Sequence, residues 1–163
     1  MSKTMSRICL TILMGAAAVL VPASAGGGEV AAGASKPPGA VGCAAEFDKA
    51  VQAYVDTTHE RDVEGFEALL DDDVTVIFRL GEVLYGKEAT MGFIEPFFEA
   101  TNWTQSFDEL TRVVRGCRTG FVLFDSVYTE NGEPLPLVIG VTFTYERGRW
   151  LVVHNQDSAG PAS

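Results

Sequence analysis

The sequence is poor in the residues that hold metals. It has three cysteines and two histidines in 163 residues, and their spacing matches no zinc pattern. Cationic side chains are also scarce, with 12 Lys and Arg against 22 Asp and Glu and a net charge of −10. A chain so acidic repels phosphates, which argues against a nucleic-acid partner and against docking on anionic lipid. There is no phosphate-binding glycine loop and no serine nucleophile elbow. There is no internal repeat, and nothing calls for a cofactor. The longest apolar run, Ile8 to Val21, is too short to span a bilayer.

What is present begins with an export signature. Lys3 and Arg7 precede the apolar run, and Pro22-Ala23-Ser24-Ala25 closes it with small residues suited to cleavage. Residues 1–25 therefore read as a signal peptide, and the mature chain as secreted or extracytoplasmic, off the membrane once the signal is removed. Loss of Lys3 and Arg7 moves the net charge from −10 to −12. Residues 26–42 are rich in Gly, Ala and Pro and read as a flexible linker. Residues 43–158 are one domain in length, and 159–163 a disordered tail.

Cys9 leaves with the signal, so Cys43 and Cys117 remain. In an oxidising compartment such a pair forms a disulfide or, alternatively, stays as two buried thiols. No cysteine is then free to act as a nucleophile.

Periodicity divides the domain into helices followed by strands. Phe47, Ala50, Val51, Tyr54 and Val55 recur at helical spacing over 44–58. A shorter helix is expected over 63–70 with Asp62 as its N-cap, and a third over 87–100, kinked or split at Pro96. Asp71-Asp72-Asp73 breaks the pattern before a strand over 74–80, and 83–85 forms a short run after a turn at Gly81-Glu82. Four strands follow over 103–115, 121–130, 135–146 and 149–157, punctuated by turn signals of which Asn131-Gly132 is the strongest. This order predicts an α+β fold with helices on one face of a curved antiparallel sheet.

Three segments carry a family resemblance: Tyr54 through Asp62 with Phe66-Glu67-Ala68-Leu69-Leu70 and Asp72-Asp73-Val74; Tyr85-Gly86-Lys87-Glu88-Ala89; and the run from Gly148 to Ser158, with Trp150, His154 and Ser158. In order, they resemble the nuclear transport factor 2-like superfamily, which includes SnoaL-like polyketide cyclases and ketosteroid isomerases. The resemblance covers 44–158 and departs from the pattern at Gln156, where a second histidine is usual. It implies a cystatin-like cone, a strongly curved sheet wrapped around a long helix, enclosing a pocket and pairing into a homodimer.

Tyr54 matches the isomerase tyrosine that donates to a developing oxyanion. The isomerase base, however, falls at Phe78, which cannot move a proton, so steroid isomerase chemistry is rejected here. Histidine's free pKa lies near neutrality, so His154 is the next candidate; strict alternation groups it with Trp150, Val152, Gln156 and Ser158. Asp125 interrupts an apolar strand as a pocket acid or as a partner of Arg112 or Arg115. Phe78, Trp103, Tyr128 and Gln156 are candidate ligand contacts. The expected function is a pocket for a small apolar or polyketide-like ligand. The alternatives are a cofactor-independent isomerase, cyclase, dehydratase or epoxide hydrolase, or an oligomerisation module.

Overall fold

The structure, a computed structural model, describes residues 40–160. The signal peptide and most of the linker lie outside the described residues, as do Pro161, Ala162 and Ser163 of the tail. Nine elements run in chain order. They are α1 (Ala40–Glu60), α2 (Val63–Leu69), β1 (Leu70–Ile77), β2 (Val83–Tyr85), α3 (Lys87–Glu99), β3 (Trp103–Arg115), β4 (Thr119–Glu130), β5 (Glu133–Glu146) and β6 (Arg149–Ala159).

Several boundaries differ from the sequence expectation. Helix α1 begins at Ala40, inside the expected linker, and β6 continues to Ala159, into the expected tail. Strand β1 starts at Leu70 and passes through the three aspartates, with its register slipping between Leu70 and Thr75. Helix α3 is not split: it runs on through Pro96, at the cost of the backbone N–H that proline lacks. Asp62 does cap α2, its carboxylate accepting the Gly65 N–H at 3.0 Å.

The sheet order is β2-β1-β6-β5-β4-β3. Neighbours are antiparallel except β1 and β6, which are parallel, so the sheet is mixed. The three helices cover one face. Helix α1 touches β3 and β6 at once: Tyr54 meets Phe107 edge-on at 6.0 Å, and Phe47 meets Trp150 at 5.0 Å. Those strands stand three spacings apart, roughly 14 Å on a flat sheet. A helix only about 10–12 Å across reaches both when the sheet bends around it.

The closed end of this arrangement is packed solid. Phe47 is fully buried against Phe143, Trp150 and the backbone of Gly120. A Cβ at Gly120 would lie 2.6 Å from Phe47 Cζ, so glycine is the residue that lets β4 approach the ring. Beside it, Cys43 on α1 is joined to Cys117 in the β3–β4 turn, with Cα atoms 5.5 Å apart.

Candidate functional site

The other end is hollow. A cavity of about 500 Å³ lies between α1, α2, α3 and the sheet. Its wall is mostly apolar, with Phe66, Phe78, Phe93, Phe97, Phe98 and Tyr128 among the aromatic contributors. Phe93 sits against Phe78 and Phe97, with ring centroids 4.6 and 5.5 Å away, so these rings form a continuous side wall. Arg79, Leu80 and Glu82, all exposed, form the rim.

Within this wall lies one connected polar group. The Tyr54 hydroxyl donates to Asn155 Oδ1 at 2.8 Å, and Asn155 Nδ2 donates to Asp157 Oδ1 at 3.0 Å. All three residues face the cavity. Burial pushes the Tyr54 phenol far up, and the negative charge of Asp157 adds to the effect. Burial also raises the Asp157 carboxyl above the usual carboxylate range, partly offset by the Asn155 hydrogen bond.

A β-bulge brings Asn155 and Asp157 inward. Phe143 on β5 pairs with Val152, and Thr142 pairs with His154, so Val153 is an extra residue with no partner on β5. Trp150 and Val152 point into the core before it. After it the alternation is inverted, and Asn155 and Asp157 take the inner face.

The burial of Asp157 has a measurable consequence. A folded-state pKa raised above the unfolded value means that the folded chain binds the proton more tightly. Stability therefore falls as pH rises through and beyond the unfolded aspartate range, about 3.9. Asp157→Asn, which keeps the Asn155 contact and removes the charge, should raise the urea midpoint at pH 7. That gain should vanish near pH 3, where wild type is protonated in both states. Urea titrations at the two pH values check it; a gain that is equal at both would separate the effect from the carboxylate.

The described domain can be set beside known proteins. Residues 48–162 match the family model described as a SnoaL-like domain. This chain belongs to the SnoaL-like family. No curated protein matches it. An NTF2-like protein of unknown function from Pseudomonas putida KT2440 has a similar structure, with TM-score 0.64 and 17% identity over 76% of this chain and 90% of that one. A domain with a cystatin-like fold from Nostoc punctiforme PCC 73102 gives TM-score 0.65 and 11% identity over 76% and 81%. An epoxide hydrolase of LEH-like type from M. tuberculosis gives 0.57 and 14% over 71% and 83%. At these identities the structures establish a shared fold, the NTF2-like, cystatin-like arrangement.

In this SnoaL-like domain the sequence-selected residues part company. Tyr54, Phe78 and Tyr128 line the cavity. His154 does not: the bulge at Val153 sends it to the outer side of the sheet, together with Gln156, which is exposed. Asp125 is exposed on the outer side of β4 and does not line the cavity. Of the two arginines suggested as its partner, Arg112 and Arg115, Arg112 pairs instead with Asp48 and Glu109. Trp103 is buried behind the wall, its ring 4.2 Å from Phe97 and its indole N–H donating to the Phe97 carbonyl at 2.8 Å. The Arg61 guanidinium lies over the Trp103 ring, 4.7 Å from its centroid. Asn155 and Asp157 are the polar residues that strict alternation missed. Among the described residues no three His, Cys, Asp or Glu side chains gather as a metal-binding set.

Proposed function

We propose that this SnoaL-like domain binds a small, largely apolar molecule in the cavity between its helices and sheet. The observation that carries this reading is the cavity itself: about 500 Å³, aromatic-walled, with a single inner carboxylate. That size and composition fit a small-molecule site. A ligand there removes apolar surface from water on both partners, worth roughly 25 cal/mol per Å² before binding costs.

The reading extends to export and to a second copy of the chain. The apolar leader, the Cys43–Cys117 bond and the lack of any membrane-crossing helix among the described residues are compatible with an extracytoplasmic site. Exposed Leu110, Val113 and Val127 on β3 and β4 favour a homodimer through the outer side of the sheet. Native mass spectrometry of the mature protein from its own host tests ligand and assembly together. Two chains, each with a non-covalent small molecule, are expected. Leu135→Trp, which fills part of the cavity wall, should lose the bound molecule and keep its far-UV circular dichroism. Retention of the same molecule in that variant would place binding elsewhere.

Acid–base catalysis is the second reading, favoured by the Tyr54–Asn155–Asp157 chain of hydrogen bonds. A buried carboxyl whose pKa is raised is a better proton acceptor than an ordinary carboxylate, and a buried phenol can support developing negative charge. The epoxide hydrolase among the structural relatives is consistent with such chemistry on this fold. On this reading Asp157→Asn abolishes turnover of a substrate that it still binds. The set Tyr54, Asp125 and His154 does not support it, because only Tyr54 faces the cavity.

A further inference from the structure

We propose that the cavity selects an apolar molecule bearing a protonated amine, with Asp157 as the counter-charge; this rests on the small-molecule reading above. Donors and acceptors on the cavity wall are unequally committed. The Tyr54 hydroxyl is committed to Asn155, and an Asn155 amide hydrogen is committed to Asp157. The Thr58 hydroxyl donates to the Tyr54 carbonyl at 2.9 Å, and the Thr90 hydroxyl to the Gly86 carbonyl at 2.9 Å. Gln105 donates to Ser126 Oγ at 3.1 Å. Most donors of the polar wall are therefore turned onto the protein; the Tyr128 hydroxyl and, at the rim, Arg79 are the exceptions. What it presents to a ligand is mainly acceptor capacity, and the Asp157 carboxylate concentrates it.

Among the described residues, the charge at Asp157 is in no ion pair; those formed by Lys49, Lys87 and Arg112 all lie elsewhere. Arg79 stands exposed at the rim. A carboxylate in an apolar cavity is costly unless paired. A neutral hydroxyl would satisfy one lone pair and leave the charge uncompensated. An ammonium supplies both hydrogen and charge, and the phenylalanine and tyrosine faces around it favour a cation further. The acidity of the whole chain draws cations towards the mouth. A carboxylate ligand would instead have to enter against Asp157 and rely on Arg79.

The test compares three probes with one carbon skeleton: diphenylpropylamine, diphenylpropanol and diphenylpropanoic acid. Affinities are measured by calorimetry at pH 7 for the mature chain and for Asp157→Asn, with the neutral dye Nile red as a reference for an accessible apolar cavity. The expected order is amine, alcohol, acid, with the amine at least about tenfold tighter than the alcohol. In Asp157→Asn the amine should fall to the level of the alcohol, while the alcohol changes little. Equal binding of amine and alcohol, tightest binding of the acid, or Nile red uptake without amine binding would each overturn the selectivity and leave the cavity reading intact. No uptake of any probe or of Nile red would overturn both. The wild-type comparison stands even if the variant folds poorly.

Discussion

Phe47→Ala should cost about 3–5 kcal/mol, a large part of the 5–15 kcal/mol that holds an ordinary domain together. Phe47 is fully buried, and its ring stands edge-on to Phe143 at 5.3 Å and tilted to Trp150 at 5.0 Å. It contacts β4 through Gly120, so one side chain ties α1 to three strands at the solid end of the sheet. Truncation removes that apolar area from the core and leaves a void that cannot collapse. The backbone of β4 is held in register by β3 and β5 on either side. Asp125→Ala supplies the contrast: it is exposed on the far side of the same strand and should change stability by less than about 0.5 kcal/mol. Urea titrations of both variants check the pair. A Phe47→Ala cost below about 1 kcal/mol would mean that α1 does not anchor the bent sheet as described.

The elements that position the cavity were largely legible because their signals are local. Helical spacing from Phe47 to Val55 found the core of α1, and Asp62 marked the start of α2. Asn131-Gly132 located the β4–β5 hairpin, where Gly132 has φ 86°. Two features were not legible, for related reasons. The parallel pairing of β1 with β6 joins segments from opposite ends of the domain, and no short-range pattern reports it. The bulge at Val153 lies in the run Leu151-Val152-Val153, where every residue is apolar and alternation cannot identify the extra one. One inserted residue inverts every later side chain. That inversion exchanges His154 and Gln156 for Asn155 and Asp157 at the cavity wall, and with them the chemistry, from an imidazole to a carboxylate. At Asp125 a different signal was ambiguous. A carboxylate among apolar neighbours fits either a pocket acid or an arginine partner, and those neighbours, including Val127, are on the partly exposed outer side.

The cysteine pair carries the second large effect. Replacing Cys43 and Cys117 together with serine should lower stability by about 3–5 kcal/mol, because the bond closes a loop with a sequence separation of 74. The unfolded chain that lacks it regains the freedom of that loop. For a domain of this size the melting temperature should drop by roughly 10–20 °C. The location sharpens the expectation. Cys43 is buried near the beginning of α1, and Cys117 sits in the β3–β4 turn with φ 51°, so the bond holds a helix end to a hairpin end. Helix ends fray first, and the side chain one turn beyond Cys43 is Phe47. Loss of the bond should therefore expose the Phe47 end to hydrogen exchange before the cavity end around Tyr54. Thermal melts with and without reductant, followed by exchange measured along α1, test both parts. A melting temperature unchanged by reductant would mean that the two thiols stand unlinked. A drop with uniform exchange along α1 would keep the link and remove the argument for its local action.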